Sequence, residues 1–69
     1  MNYRLIEIGR RKVTREINIK EEKEIIKEAK KHLASFDVEV VGTADAKGLV
    51  RGSIYAGFQL VGRVERIEA

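Results

Sequence analysis

The chain has 69 residues, with 14 basic and 11 acidic side chains, one His and no Cys. A domain of this size buries only about 60% of the surface that its unfolded chain exposes, so we expect one domain over 1–69 with a thin core. The absence of Cys excludes disulfides, thiolate metal sites and Cys nucleophiles, and one His cannot build a typical zinc site. Oligomerisation is the remaining common support for so small a core, and we expect a homodimer.

The charge is distributed unevenly along the chain. Residues 1–18 contain five basic and two acidic side chains, whereas the positive and negative charges balance in 19–37 and again in 38–69. The formal net charge of +3 therefore belongs to a basic N-terminal segment. No apolar run is long enough to span a bilayer and the N-terminus lacks a signal-peptide pattern, so we expect a cytoplasmic protein without membrane contact.

The first half of the sequence predicts a hairpin followed by a helix. Strands over 3–8 and 12–19 flank "GRRK", a short turn in which Gly9 is the flexible member. A helix is predicted over about 20–35, with Asn18 and Glu21 as its N-terminal capping residues. Its apolar stripe has helical spacing and consists of Ile25, Ile26, Ala29, Leu33 and Phe36.

The second half alternates with a period of two, which predicts strands over 37–44, 49–56 and 58–68 and a turn over 45–48. The predicted order is ββαβββ. The fold class is therefore α+β, with one amphipathic helix packed on a curled and mostly antiparallel sheet.

The predicted strands carry apolar side chains on both faces, although one helix can cover only one face. Alternation assigns Phe58, Leu60 and Val64 to the helix side of the last strand. In the strand before it, Ile54 and Val50 oppose Leu49 and Tyr55. The residues expected on the open face, where a second chain would cover them, are Tyr55, Val61 and Ile67. Large exposed apolar patches are uncommon on soluble monomers, so this pattern also favours a homodimer.

Glycine spacing in "GFQLVGRV" (57–64) matches that of a phosphate-binding Walker A loop. That loop needs a Lys for the phosphates, a Ser or Thr for magnesium and a following helix. Arg63 and Val64 occupy those two positions, and no helical pattern follows. The segment is better interpreted as an alternating strand.

The stretch "RGSIYAGF" (51–58) partly resembles the RNP1 strand of RNA-recognition motifs. Four of its eight positions fit: Arg51, Gly52, Tyr55 and Phe58. Tyr55 and Phe58 are three residues apart, so a regular strand would place them on opposite faces. Tyr55 and Arg51 would share a face, yet aromatic residues are common in strands and interfaces, which favours Tyr55 as a sheet-surface or dimer contact.

His32 is the only side chain whose ordinary pKa suits general base catalysis near neutral pH. It follows Lys30 and Lys31 at the predicted end of the helix, where a His commonly caps the last carbonyl groups. The carboxylates are scattered beside Lys and Arg residues without a recognisable acid/base pair. We therefore expect no enzymatic activity, no cofactor and no metal.

The remaining signal is the basic hairpin tip. Its candidate nucleic-acid-binding residues are Arg10, Arg11, Lys12 and Arg15. Such a tip contacts phosphates in some β-ribbon proteins, although it is also typical of a solvated turn that discourages edge pairing.

We expect a non-enzymatic binding module whose ligand is nucleic acid. The alternatives are a homodimeric protein–protein adaptor or inhibitor that uses the open apolar face, and a small-molecule carrier.

Overall fold

A computed structural model describes residues 1–34 and 37–67. The elements in chain order are β1 (Asn2–Ile8), β2 (Val13–Asn18), α1 (Lys23–Lys30), β3 (Val38–Asp45), β4 (Gly48–Ala56) and β5 (Gln59–Ile67). The predicted order ββαβββ is confirmed.

The five strands form one sheet in the order β2-β1-β5-β4-β3, and each neighbouring pair is antiparallel. β2 and β3 are therefore the two edge strands, and α1 connects one edge to the other across a single face of the sheet. The α+β class holds, but the sheet dominates: 60% of the described residues are strand and 12% are helix. We call the side with the helix the covered face and the other side the open face.

The hydrophobic core lies between α1 and the covered face. Its buried members are Tyr3, Leu5, Ile8, Ile19, Ile25, Ala29, Val38, Ile54 and Val64. The helix supplies Ile25 and Ala29, while Ile26 and Leu33 pack at the margin of the core, as their helical spacing predicts. Phe36, the last member of the predicted stripe, lies outside the described residues.

The helix is shorter than the predicted range of 20–35. The backbone N–H of Ile19 donates to the carbonyl of Met1 at 2.8 Å, which keeps the chain extended beyond the end of β2. The expected capping by Asn18 and Glu21 is wrong, because the helix begins after Glu22 without a side-chain cap there. Instead, the carboxylate of Glu24 accepts backbone N–H groups from Lys20 and Glu21 at 2.8 and 2.7 Å.

Bulges shift the strand registers, and two of them change which side chains face the helix. In β5, Ile54 pairs with Gly62 but Tyr55 pairs with Leu60, which leaves Val61 as an extra residue. Val61 consequently packs against the core, while Leu60 is 54% exposed and Phe58 is fully exposed. The expectation that Phe58 and Leu60 meet the helix is therefore wrong.

The second such bulge is in β4, where Thr43 pairs with Arg51 but Ala44 pairs with Leu49. Val50 is the extra residue, and Leu49 packs against the core rather than pointing away from it. The predicted opposition of Leu49 to Ile54 is wrong for the same reason.

A polar network closes the end of the sheet beside the start of α1. The Arg66 side chain is only 8% exposed and donates to both carboxylate oxygens of Asp45, at 3.0 and 2.6 Å. The Tyr3 hydroxyl donates to the carbonyl of Leu49 at 2.7 Å, and the Glu22 carboxylate accepts the Leu49 N–H. Burial, helped by the Glu22 charge, raises the pKa of Tyr3, whereas hydrogen bonds from Arg66 hold the pKa of Asp45 far below its usual range.

Candidate nucleic-acid interface

The turn between β1 and β2, residues 9–12, lies at the opposite end of the sheet from that network. Its first residue, Gly9, has φ +77°, and a Cβ at this position would collide with the carbonyl oxygen of His32. The N–H of Lys12 donates to the carbonyl of Gly9 at 3.1 Å. The Gly9 N–H donates to the carbonyl of Val61 at 2.9 Å, which fixes the turn to β5. We call residues 9–12 the basic turn.

The basic turn carries three adjacent cationic side chains that are exposed to water: Arg10, Arg11 and Lys12. No described carboxylate lies within 4.0 Å of any of the three. Their charge is therefore available to an anionic ligand.

Two other Arg side chains of the sheet are committed to carboxylates. Arg4 contacts Glu16 at 3.1 Å and Glu65 at 3.2 Å on the open face. Arg66 is held by Asp45 at the opposite end. Glu16, the acidic residue of β2, is thus already engaged by a neighbouring Arg.

Arg15, the fourth predicted residue, does not join the basic turn. It lies in β2 with Leu5 as its Cα partner on β1, so its register places it on the covered side at the edge of the sheet. The side chain is exposed and has no described carboxylate in ion-pair range. The structure therefore brings three of the four predicted residues together.

An open cavity of about 1000 Å³ adjoins the basic turn, the end of the helical segment and the start of β5. Its charged and titratable lining side chains are Glu7, Arg10, Lys12, His32 and Arg63, and its larger apolar ones are Ile6, Leu33, Leu60 and Val61. The lining of the cavity thus combines apolar side chains with charged side chains that are predominantly basic.

Arg63 and His32 are basic cavity residues that sequence reasoning did not assign to a site. Arg63 lies directly opposite Ile6 in the β1–β5 ladder, and that pairing joins residues far apart in the sequence. His32 lies beside the turn, and its backbone carbonyl group comes close to Gly9. Arg63 could be placed in the site only from the strand order. For His32 the sequence offered a weak local signal, because the Gly in "GRRK" indicates that another part of the chain comes close to the turn.

The turn between β4 and β5 lies at the same end of the sheet as the basic turn. Gly57, with φ +65°, and Phe58 form a two-residue connection between the paired residues Ala56 and Gln59. A positive φ at the first turn residue alone is the pattern of a type II′ hairpin turn. The Phe58 ring is fully exposed, so an aromatic group projects from the tip of this hairpin.

The open face carries only part of the predicted protein interface. Tyr55 is half-buried there, opposite Leu60, and Ile67 is half-buried near the other end of β5. Val61 packs against the core on the covered face, so it is not part of the open-face surface that Tyr55 and Ile67 form. The most exposed aliphatic side chain of this face is Val41, at 60%.

A shallow groove of about 560 Å³ crosses the open face. Its cationic lining residues are Arg51 and Arg63, and its acidic one is Glu65. Arg63 lines both this groove and the cavity beside the basic turn. The two basic surfaces are therefore continuous at Arg63.

The charged side chains at this end of the molecule are mostly cationic. Within residues 1–34 and 37–67, no three His, Cys, Asp or Glu side chains lie close enough together to hold a metal ion. The cavity holds guanidinium, ammonium and imidazole groups that can contact phosphate oxygens, beside apolar side chains that can contact a base.

Comparison with models of known protein families, with curated proteins and with solved structures returned no match for this chain. None of the helical residues that the structure describes forms a segment long and apolar enough to cross a membrane.

Proposed function

We propose that this protein is a small non-enzymatic binding module that contacts nucleic acid through the basic turn. The observation that carries the proposal is the presence of three adjacent exposed cations, Arg10, Arg11 and Lys12, with no described carboxylate in ion-pair range. Phosphates supply most of the affinity in sequence-independent nucleic-acid binding, and such clusters are what they contact.

The position of the turn supports the same proposal. Its backbone is fixed at Gly9 by the hydrogen bond to Val61 and by the close contact with His32, so the cations stand on a defined support. Arg63 extends the positive surface from the turn towards the open face. A continuous basic surface can follow several successive phosphates, whereas an isolated charge cannot.

Equilibrium binding of a fluorescently labelled oligonucleotide over a series of salt concentrations tests the proposal. The wild type should bind with an affinity that falls as salt rises, because bound counterions are released on association. Neutralising the turn with Arg10→Gln, Arg11→Gln and Lys12→Gln together should weaken binding at low salt. It should also reduce the slope of log K against log salt by about 2, at roughly 0.7 per phosphate contact on a single strand.

The matched control removes the same number of charges elsewhere. Lys20→Gln, Lys27→Gln and Lys47→Gln alter three exposed side chains away from the basic turn and should change affinity and slope less. Equal losses in the two triple variants would show binding by net charge alone. Undiminished binding by the turn variant would refute the site.

A second candidate function is that of a homodimeric protein–protein adaptor or inhibitor that uses the open face. The exposed aliphatic side chains of Val41 and Leu60, with half-buried Tyr55 between their strands, support this candidate. Such a protein would bind its partner without affinity for nucleic acid, so the oligonucleotide experiment separates the two candidates.

A further inference from the structure

We propose that the ligand of this end of the molecule is single-stranded nucleic acid, and that one of its bases stacks on the exposed ring of Phe58. Phosphates on either side of that base contact Arg63 and the basic turn. The inference rests on the proposed function and specifies its ligand and a further binding residue.

The exposure of Phe58 is the first observation. Its ring is fully accessible, and a Cβ added at the neighbouring Gly57 would meet no atom within 4 Å, so the tip of this hairpin stands in open space. Leu60, two residues further on, is also more than half exposed. An exposed aromatic ring at the tip of a hairpin is a surface on which a planar base can stack.

The second observation is that the aromatic tip and the basic turn lie side by side. β1 and β5 are neighbours in the sheet, and both turns lie at the end where β1 stops and β5 starts. The hydrogen bond from Gly9 to Val61 fixes the basic turn to β5. Phe58 is three residues before Val61, a separation of at most about 10 Å along an extended chain.

The third observation is that Arg63 lies between the cavity and the open face. It lines both concave surfaces, and no described carboxylate lies within 4.0 Å of it. On the open face, Tyr55 pairs with Leu60 between Phe58 and Arg63, and Arg51 pairs with Glu65 beyond Arg63. A strand that leaves Phe58 along β5 therefore meets further aromatic and cationic side chains.

These features favour a single strand over a duplex. A base can stack on a protein ring only when its face is free, and in a duplex both faces are covered by neighbouring bases. They also favour a nucleic acid over a protein partner, because three cationic side chains and only one acidic side chain line the cavity. The cations are Arg10, Lys12 and Arg63, and the acidic residue is Glu7. A polyanion complements that charge, and an unpaired base complements the ring.

The test measures binding of a labelled oligothymidylate of about twelve nucleotides, within the usual size range for such sites, and of a hairpin duplex of similar charge. Phe58→Ala should weaken binding of the single strand about tenfold and leave binding of the duplex unchanged. Phe58→Tyr should retain the affinity. The matched control is Val50→Ala, which trims a half-buried apolar side chain near the β3–β4 connection at the other end of the sheet and should have no effect.

A second variant reports on the stacking itself. The chain contains no Trp, so Phe58→Trp introduces a single fluorophore at the hairpin tip. Oligothymidylate should quench its fluorescence with the same midpoint as the binding curve. Thermal unfolding checks that each variant folds.

The outcomes separate this inference from the proposed function. If Phe58→Ala binds the single strand as tightly as the wild type, or if Phe58→Trp binds it without quenching, stacking is refuted. Salt-sensitive binding through the basic turn could then still stand. Preference of the wild type for the duplex would also overturn the inference. If no oligonucleotide binds at all, both proposals fail together.

Discussion

Two glycines at the same end of the sheet have positive φ angles, but their surroundings differ. Gly9 has φ +77° and faces the carbonyl group of His32, whereas Gly57 has φ +65° and faces open space. An L-residue with a side chain adopts this region at a cost of about 1 to 2 kcal/mol. Both positions share that conformational cost, and only Gly9 adds a steric contact with backbone atoms.

The pair gives a prediction in which one variant controls for the other. Gly57→Ala should lower the free energy of unfolding by about 1 kcal/mol, the cost of the backbone conformation alone. Gly9→Ala should cost at least about 1 kcal/mol more, because the added methyl group forces the turn away from His32. Urea unfolding of both variants measures the difference. Equal losses would contradict the close packing of the basic turn.

Asp45 makes the stability of the fold depend on pH. In the folded protein its carboxylate accepts hydrogen bonds from Arg66 and from the Lys47 N–H, and these hold its pKa far below the usual value. A carboxyl group whose pKa is lowered by folding stabilises the folded protein at pH values above the pKa that the group has in the unfolded chain, which is about 4 for Asp. That contribution is lost progressively as the pH falls below this value towards the folded-state pKa.

Asp45→Asn should therefore lower the midpoint of thermal unfolding most at neutral pH. The difference from the wild type should shrink as the pH falls from about 4 to 2, because the unfolded wild-type chain then binds a proton at Asp45 that the folded protein does not. Glu24, whose pKa is also lowered by backbone hydrogen bonds, titrates in both proteins and cancels from the comparison. A difference that stays constant across this range would show that the Asp45 charge contributes no stability.

At the scale of elements, the sequence predicted all five strands, the helix and a turn between β3 and β4, which the structure narrows from residues 45–48 to 46–47. The change of period from 3.6 to 2 and the Gly-containing turns contain that information locally. The alternation of polar and apolar residues does not show which residue of a strand lies in a bulge and has no partner on the neighbouring strand. A bulge at Val61 moves the earlier side chains of β5 to the opposite face, which is why Leu60 is exposed, whereas Phe58 precedes β5 and projects from the hairpin turn.

The candidate site also has a part that the sequence could predict and a part that it could not. The three cations of the basic turn are adjacent in the sequence, so their grouping could be predicted. Arg63 reaches the site only through the β1–β5 pairing, which joins residues distant in the chain. Phe58 projects from the two-residue β4–β5 turn, and a periodic pattern does not encode the strand register that places the turn at Gly57 and Phe58.

The β5 bulge gives a prediction for two adjacent residues. Val61→Lys should lower the free energy of unfolding by about 2 kcal/mol, because Val61 packs against the core and a charged group there loses hydration. Leu60→Lys should change it by no more than about 0.5 kcal/mol, since this side chain is more than half exposed. Chemical denaturation measures both values. The reverse order would indicate the unbulged register.

At the scale of the whole molecule, the two ends of the sheet differ in how their charges are used. Arg66 and Asp45 neutralise each other at one end, beside the start of α1. At the other end the cations of the basic turn have no described carboxylate in ion-pair range. The basic pI therefore arises largely from one end of the molecule, and a polyanion would bind in a defined orientation.

The same architecture leaves one face of the sheet without a helix, and this face leads to the prediction of a homodimer. α1 crosses only the covered face, while Val41 and Leu60 are exposed on the other and Tyr55 is half-buried there. A second copy that packs on this face would remove apolar surface from water. A chain of 69 residues buries only a small core on its own, so this additional burial would stabilise the fold. Sedimentation equilibrium at micromolar protein should therefore give a dimer mass that falls on dilution.

Charge placed on the open face should break that dimer. Val41→Lys should shift the equilibrium to the monomer, since a dimer would have to bury the introduced charge. Ala46→Lys adds the same charge in the exposed β3–β4 connection and should leave the mass unchanged. A wild-type mass that equals the monomer at every concentration would refute the dimer. The open face, including Arg51 and Arg63, would then be free for a strand that extends from Phe58.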